Sequence, residues 1–350
     1  MHSLTVQKSE KIQKFLPTQN SEEPIFHGEK NMEEVLRIEN LSKTYKKKNN
    51  EVLAVKDISF KGYKGEILGM LGPNGSGKTT TVKSIATIVE YDKGQIFVNG
   101  IDNKKHQNSV KQCIGAVLEG ARNIYWRLTA KENLIYFAGL KGFGYKQIKD
   151  NLEYFLEKLE LKDVANKQVR EFSKGMQQKV AVACAFITSP KVVLLDEPTL
   201  GLDIETARNM QQWIKLIAKQ QETFILITSH DMRFIENVCD RVLIIKEGSI
   251  IANDSVSDLK KYFMRKVYHI LLEEDLLDEQ KNNLEKGFRV RFEHTDKGHS
   301  IYLTLENDSY LYDIFEILGR KKQSIQSIEI LNDDFEDVFL EILRRNGEKI

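Results

Sequence analysis

Short, almost wholly apolar runs alternate with helix-like segments along most of the chain. Runs at 113–118, 192–195 and 224–228 have the length of buried strands. Elsewhere, apolar residues recur at helical spacing, in a long stretch at about 130–189 and a shorter one at about 205–219. Strands that are apolar throughout and alternate with helices predict an α/β fold whose parallel sheet is covered on both faces. In such sheets, chemistry gathers at the carboxyl ends of the strands.

The pattern changes near both ends of the chain. Residues 1–33 are polar and aperiodic, and we interpret them as a flexible N-terminal extension. Strand-like runs at 35–38 and 52–60 follow, and the lysine- and asparagine-rich residues between them predict the turn of a hairpin. After about residue 261 the pattern starts again, with strand-like and helical runs at 267–272, 288–292, 301–305, 309–318 and 334–343. We therefore expect a main domain at 34–260 and a small C-terminal α/β domain at 261–350.

Composition restricts the classes of function. The 350 residues exceed what one hydrophobic core usually organises, which favours two domains. Lys and Arg number 52 against 51 Asp and Glu, so the formal net charge of +1 is too small to hold nucleic acid by charge alone. No apolar run approaches the roughly 20 residues of a membrane-spanning helix. Cys113, Cys184 and Cys239 form no CxxC pair, and we interpret them as reduced thiols of a cytosolic protein.

One motif points to a specific chemistry. Residues 72–79 read Gly-Pro-Asn-Gly-Ser-Gly-Lys-Thr, which fits the phosphate-loop pattern G-x-x-x-x-G-K-[ST] without departure. Glycines let successive backbone N–H groups turn toward phosphate oxygens, and the helix expected from Lys78 aims its positive dipole end at the same anion. The Lys78 ammonium can reach the β- and γ-phosphates, and the Thr79 hydroxyl can ligate Mg²⁺. The preceding strand and the following helix favour a nucleotide site over a chance match.

Two further strand ends carry polar side chains. Asp196 and Glu197 directly follow the run at 192–195, where Asp196 can hold Mg²⁺ against the phosphate loop. Glu197 is placed to orient or deprotonate a water that attacks the γ-phosphate. His230 comes two residues after the run at 224–228. A single histidine is usually structural, but at the end of a third strand of the same sheet it can hydrogen-bond the γ-phosphate and position the water or Glu197.

These residues occur in the order of a known family. The segment 172–179, Phe-Ser-Lys-Gly-Met-Gln-Gln-Lys, resembles the LSGGQ signature of ABC ATPases, and 200–203 resembles their D-loop. His230 is similar to their switch histidine, and Tyr45 to the aromatic residue that stacks on adenine. The resemblance covers residues 34 to about 255.

The resemblance implies a P-loop NTPase fold, with a RecA-like core, an antiparallel β subdomain and an α-helical subdomain inserted at about 128–189. The segment 334–340 resembles the small α/β accessory domain appended to such ATPases. In the family, two nucleotide domains pair head to tail, so that the signature of one chain closes over the ATP held by the phosphate loop of the other. A serine hydroxyl, glycine amides and a helix N-terminus suit that second anion site.

Roles for individual residues follow from the same resemblance. The ATP site consists of Tyr45, Gly72, Pro73, Asn74, Gly75, Ser76, Gly77, Lys78, Thr79 and Thr80. The signature residues, which contact the ATP of the opposite subunit, are Ser173, Lys174, Gly175 and Met176. The catalytic residues are Lys78, Glu197 and His230. The Mg²⁺ ligands are Thr79 and Asp196, the D-loop residue is Asp203, and the Q-loop position is Glu119.

Two positions depart from the family's pattern. Lys174 replaces the first glycine of the signature, which removes backbone freedom and adds positive charge, but the serine and the second glycine remain and we expect activity to survive. Glu119 stands where the family has glutamine, and a carboxylate can still bind Mg²⁺ or water there. The stretch 119–129 nevertheless resembles the version in drug-exporter ATPases of the daunorubicin-resistance type, where it touches the membrane subunit. Ordinary packing is an equally good explanation for its Tyr125 and Trp126.

The expected function is therefore an ATPase subunit that powers a separate ABC-2-type permease, most simply an exporter, from the cytoplasmic face of the cell membrane. ATP and Mg²⁺ are the expected cofactors, and a second copy of the chain the expected partner. One alternative is a soluble ABC ATPase acting on ribosomes or DNA, although the chain has one phosphate loop and one signature. A binding-only module with an inactive site is the other, and intact Lys78, Asp196, Glu197 and His230 argue against it.

Overall fold

The computed structural model describes residues 32–47, 50–118, 123–263, 266–295, 298–305, 309–319, 324–332, 335, 339–340 and 342–343. The chain divides into two compact units, Met1–Val256 and Ser257–Ile350. The proposed N-terminal extension up to residue 31, Glu119, and half of the helix expected at 334–343 lie outside the described residues. Within those residues, no helix is both long enough and apolar enough to cross a bilayer.

The strands of the first unit include the expected runs and several that the pattern missed, and the first strand continues to Lys47 instead of ending near residue 38. They are β1 (Glu34–Lys47), β2 (Asn50–Tyr63), β3 (Ile67–Leu71), β4 (Lys93–Val98), β5 (Ile101–Asp102), β6 (Ile114–Val117), β7 (Val192–Asp196), β8 (Phe224–Thr228), β9 (Arg241–Lys246) and β10 (Ser249–Ser255). β4, β5 and the β9–β10 hairpin are not among the strands predicted from the sequence.

The helices of the first unit separate these strands. They are α1 (Lys78–Ile85), α2 (Gln107–Cys113), α3 (Ala130–Leu140), α4 (Tyr145–Lys158), α5 (Lys174–Phe186), α6 (Ile204–Gln220) and α7 (Met232–Val238). The long helical stretch expected at about 130–189 is in fact three helices, because Gly142 adopts φ +83° after α3, and two short 3₁₀ turns separate α4 from α5.

A mixed sheet places the three polar strand ends next to one another. Its strand order is β10-β9-β3-β8-β7-β6, with β9 antiparallel to β10 and the other neighbours parallel. Strands β3, β7 and β8 are buried along their whole length, which explains their uninterrupted apolar sequences. Because β8 lies between β3 and β7, the residues that follow these three strands meet at one edge of the sheet.

A second sheet, with the strand order β2-β1-β4-β5, is antiparallel and packs on the first. The β1–β2 hairpin expected from the lysine-rich turn is confirmed by the pairing of Lys46 with Glu51. One core joins both sheets to α1: Ile38 and Ile96 of the antiparallel sheet belong to the same buried cluster as Leu194 of β7 and Val82 of α1. The helix after the phosphate loop is therefore fixed between two sheets.

The second unit is a small α/β domain. Its elements are α8 (Val256–Phe263, whose first residue belongs to the first unit), β11 (Lys266–Leu272), α9 (Asp278–Gly287), β12 (Arg289–Thr295), β13 (Gly298–Leu305), α10 (Tyr310–Gly319) and β14 (Ile325–Asn332). The sheet is antiparallel with the order β12-β13-β11-β14. Ile270 and Leu303 pack with Leu284 of α9 and Ile314 of α10, which gives this unit a core of its own.

Candidate functional site

The phosphate loop lies between the end of β3 and the start of α1. Gly77 caps α1 with φ +108°, and a Cβ atom there would collide with the carbonyl oxygen of Ala54. The loop therefore requires glycine at this position and keeps its backbone in a cradle. The Ser76 hydroxyl is buried and has no hydrogen-bond partner within the described part of the chain. A buried donor at the base of a backbone cradle, beside a helix N-terminus, fits a phosphate group.

Lys78 lies folded over the loop. Its Nζ donates hydrogen bonds to the carbonyl oxygens of Gly72, at 2.7 Å, and Pro73, at 3.1 Å. Both acceptors belong to the phosphate loop itself, so the ammonium is held at the mouth of the cradle. Tyr45 approaches the same helix from β1, with its hydroxyl 3.5 Å from the Thr80 hydroxyl and its side chain 39% exposed. The structure thus places an accessible aromatic ring beside the phosphate loop.

Asp196 is the last residue of β7 and is buried. Register pairs it with Thr228, the last residue of β8, and the Thr228 hydroxyl donates a hydrogen bond to its Oδ1. The Asp196 carboxylate is therefore fixed by the neighbouring strand. A carboxylate held in this way at a strand end is a suitable oxygen ligand for Mg²⁺.

Glu197 leaves the strand in a left-handed backbone conformation, with φ +53°. This backbone conformation is unfavourable for residues other than glycine, and such residues are often found in it at functional sites. The carboxylate is held at both oxygens: Oε1 lies 2.9 Å from His230 Nδ1, and Oε2 accepts a hydrogen bond of 3.2 Å from the Ser229 hydroxyl. His230 remains 71% exposed, so the pair opens toward solvent at the sheet edge.

The structure thus brings Glu197 and His230 into direct contact, as their positions at adjoining strand ends predict. Sequence reasoning did not identify Thr228 and Ser229 as the residues that fix the two carboxylates. Their position just before His230 is a signal only once the β7–β8 register is known, because that register sets Thr228 opposite Asp196.

The segment predicted to be the signature leads into the start of α5. Ser173 caps the helix, its hydroxyl accepting a hydrogen bond of 3.2 Å from the Met176 N–H, and Lys174 is exposed in the first turn. A Cβ atom on Gly175 would lie 3.3 Å from the Thr206 methyl group, so glycine lets α5 approach α6 closely.

Asp203, the residue predicted for the D-loop, caps α6 and accepts a hydrogen bond of 2.8 Å from the Thr206 N–H. This backbone hydrogen bond holds the pKa of the Asp203 carboxyl below its usual value. Signature and D-loop residues therefore adjoin through Thr206. Glu119 lies outside the described residues. The residues on either side of the undescribed segment are in contact, since the Asn123 side-chain amide accepts a hydrogen bond of 3.2 Å from the Leu118 N–H and donates one of 3.0 Å to its carbonyl.

Comparison with known proteins finds relatives whose similarity includes the phosphate loop and the strand that ends in Asp196. The profile of the ABC transporter family matches residues 55–200. The ABC transporter ATP-binding protein NatA of Bacillus subtilis is 40% identical over 225 residues, which is 64% of this chain and 91% of NatA. The uncharacterized ABC transporter ATP-binding protein YdbJ of the same organism is 33% identical over 318 residues, 91% of this chain and 98% of YdbJ.

Solved structures agree with these sequence matches. The ATP-binding cassette MJ0796, solved as a dimer in a post-hydrolysis state with ADP and Pi, has a TM-score of 0.57 at 26% identity. The alignment covers 63% of this chain and 98% of that one. An ATP-binding subunit of an ABC transporter gives a TM-score of 0.58 at 28% identity, covering 65% of this chain and 93% of that subunit.

Proposed function

Because this chain belongs to the family of ABC transporter ATP-binding proteins, we propose that it drives a separate ABC-2-type membrane permease in the direction of export. The chain is the ATP-hydrolysing subunit of an ABC transporter, and such subunits dimerise and pair with a permease. Export is supported by the linearmycin resistance ATP-binding protein LnrL of Bacillus subtilis, 36% identical over 225 residues, 64% of this chain and 70% of LnrL. The methionine import protein MetN 1 of Oceanobacillus iheyensis is less similar, at 30% over 264 residues.

One observation carries the proposed chemistry: the Glu197 carboxylate is fixed by His230 at the same edge of the sheet as the phosphate loop. The loop amides and Lys78 bind the β- and γ-phosphates, and Tyr45 stacks on the adenine. Glu197 orients a water in line with the γ-phosphate and accepts its proton as the phosphoryl group transfers. His230 holds Glu197 in that orientation. Since the phosphoryl group passes to water, ADP and phosphate are the products.

Mg²⁺ is the proposed metal, and the donor set suits it. Thr79 and Asp196 would hold the ion, since a hydroxyl and a carboxylate are the oxygen ligands that Mg²⁺ prefers. The Thr228 hydrogen bond fixes the Asp196 carboxylate for this role. When bound, Mg²⁺ neutralises charge on the β- and γ-phosphates.

A second copy of the chain completes the proposed site. Ser173 and Gly175 at the start of α5 offer a helix N-terminus that suits the γ-phosphate held by the other copy. The closed pair then binds ATP more tightly than the open pair, and this difference in affinity moves the permease. Hydrolysis removes the γ-phosphate, so the contact between it and the helix N-terminus of the other copy is lost and the pair opens.

An exposed aromatic patch is the proposed contact with the permease, on the inner face of the membrane. We define it by Tyr125 (50% exposed), Trp126 (48%) and Tyr136 (38%). The rings of Tyr125 and Tyr136 meet edge to face at 4.7 Å. Asn133 of α3 fixes the segment, accepting a hydrogen bond of 2.7 Å from the Tyr125 N–H and donating one of 3.0 Å to its carbonyl. A rigid apolar surface of this kind suits a protein partner.

The proposed function is tested by purifying the full chain, with an affinity tag, from detergent-solubilised membranes of its own cells. We expect an integral membrane protein with several spanning helices to co-purify. When this protein and the chain are reconstituted together in lipid vesicles, ATP hydrolysis should be coupled to transport. Recovery of ribosomal particles or DNA instead would contradict the proposal and favour the soluble ATPase.

Removing one patch residue tests the docking surface. The Trp126→Ala variant should lose most of the co-purifying permease, because its indole supplies a large part of the exposed apolar area. Its ATPase activity in the absence of the permease should match that of the wild type. The control is Leu216→Ala, which shortens an exposed apolar side chain on α6. Equal permease recovery with Trp126→Ala and wild type would remove the patch from the interface.

Lys78→Ala should weaken ATP binding itself. A hydrogen bond to a charged group contributes roughly 1.5–3 kcal/mol, so affinity should fall about 10- to 100-fold. Equilibrium binding of a fluorescent ATP analogue measures the change. Lys83→Ala, in the last turn of the same helix, is the matched control and should bind as the wild type does. Unchanged affinity in Lys78→Ala would assign the phosphate contact to another group.

A further inference from the structure

Lys141 joins three elements of the first unit that are distant in sequence. It follows the last residue of α3, and its Nζ donates a hydrogen bond of 2.6 Å to the carbonyl oxygen of Ile114, the first residue of β6. A longer contact, 3.4 Å, reaches the hydroxyl of Thr188, which lies just after α5. A single ammonium group therefore holds two helices to the beginning of one strand.

The environment of this ammonium supplies hydrogen-bond acceptors but little compensating charge. Burial lowers the pKa of Lys141 to about 8. No carboxylate within the described ranges forms an ion pair with it. The titratable group that faces it is the Cys113 thiol at the end of α2. Burial raises the pKa of this thiol above its usual value, and the charges of Lys141 and Lys191 offset part of the rise. A partly buried cation without a counter-ion costs stability, and a methionine would avoid that cost. Stability alone thus does not explain a lysine here.

The strand that Lys141 holds leads into the catalytic edge of the sheet. β6 pairs in parallel with β7, whose last residue is Asp196, and Val117 at the end of β6 lies opposite Leu195. Packing leaves β6 little freedom, because a Cβ atom on Gly115 would collide with the carbonyl oxygen of Ala185 in α5. The Lys141 hydrogen bond adds to this packing at the first residue of β6, and so acts on a strand whose pairing with β7 continues to the residue before Asp196.

The other end of α3 belongs to the aromatic patch. Thr129 and Glu132 form a capping box there, and Asn133 fixes Tyr125. The helix has 11 residues and spans about 16 Å at 1.5 Å per residue. A stiff helix of this length, held at one end by Lys141 and at the other by Asn133, connects the patch with the sheet.

We propose that Lys141 is a positioning residue for ATP hydrolysis, which holds the start of β6 against α3 and α5 and so keeps β6 in register with β7, the strand that ends in Asp196. The proposal rests on ATP hydrolysis by this chain and is independent of the permease and the direction of transport. The protonated lysine makes a charge-assisted hydrogen bond to Ile114, about twice as strong as a neutral amine would make. The strand is therefore held most firmly below pH 8.

Steady-state ATPase measurements between pH 6.5 and 9.5 test this role in the full chain, with Lys141→Met and Lys141→Arg. In the wild type, kcat should fall about fivefold as pH rises through the pKa of Lys141, while KM for ATP changes little. Lys141→Met should have the lower kcat at every pH, without that step. Lys141→Arg keeps its charge throughout the range, so it should restore kcat and also lack the step.

As pH rises, the free energy of unfolding should change in the direction opposite to kcat. This difference distinguishes a positioning role of Lys141 from a purely structural one. The pKa is about 8 in the folded state and 10.5 when unfolded, so the unfolded chain binds more protons between these values. The free energy of unfolding of the wild type should therefore rise over this window relative to Lys141→Met. The burial cost is fully present below pH 8.

Amide hydrogen exchange at 114–118 tests the same proposal without relying on how the longer side chain packs in Lys141→Arg. Exchange there should be faster in Lys141→Met than in the wild type at pH 7. Wild-type kcat and an unchanged pH profile in Lys141→Met, together with unchanged exchange, would overturn the proposal. Absence of ATPase activity in the wild type would instead contradict hydrolysis by the chain, so the two failures are distinguishable.

Discussion

Glu197→Gln should bind ATP as tightly as the wild type and hydrolyse it about 10²- to 10⁴-fold more slowly. The amide is nearly the same size as the carboxylate and can still accept the Ser229 hydrogen bond, so the local backbone should be retained. It cannot accept a proton from the attacking water. The loss therefore falls on the chemical step and leaves the phosphate loop unchanged.

The same variant should reveal the pairing of two chains. If hydrolysis is what opens the closed pair, Glu197→Gln with ATP should elute from a sizing column as a dimer, and the wild type with ADP as a monomer. Glu153→Gln, an exposed glutamate on α4, is the control and should behave as the wild type in both assays. A monomer with ATP would count against the paired site, and wild-type turnover would remove Glu197 from the catalytic step.

Those parts of the site that depend on local sequence could be predicted. A phosphate loop is a contiguous motif, and β3, β7 and β8 are buried on both faces, so their apolar runs and the polar residues after them are visible in the sequence. β4 and β10 were missed for the converse reason. β10 reads Ser-Ile-Ile-Ala-Asn-Asp-Ser, and its polar residues mask the strand until β9 is known to pair with it.

Contacts that depend on register or packing could not be predicted. Thr228 fixes Asp196 only because two strands whose paired residues are 32 positions apart are aligned at their ends. Lys141 resembles an ordinary exposed lysine after a helix, and nothing local indicates that Ile114 lies within reach. Gly142 is evident in the sequence, but a glycine alone does not show that the backbone adopts a positive φ there and ends the helix. Sequence identifies the chemistry here, and tertiary pairing identifies what orients it.

The largest expected loss of stability is that of Arg241→Ala. Arg241 is 2% exposed, and its Nε and Nη2 donate to the two oxygens of Glu66 at 2.7 and 3.2 Å. Further hydrogen bonds run to Asn253, at 2.9 Å, and to the carbonyl oxygen of Lys61, at 2.6 Å. The guanidinium therefore joins β9 to β10, β2 and the residue before β3. Removing it leaves the Glu66 carboxylate buried without its cation, which costs roughly 3–5 kcal/mol.

Urea unfolding followed by tryptophan fluorescence measures this change, because both tryptophans, Trp126 and Trp213, lie in the first unit. The double variant Arg241→Met with Glu66→Gln should lose less than Arg241→Ala, since it leaves no buried charge unpaired. Glu66 precedes β3 whereas the phosphate loop follows it, so the folded fraction of each variant should keep wild-type ATP affinity. Equal losses in the two variants would mean that packing around the guanidinium, and not the ion pair, determines the stability of this end of the sheet.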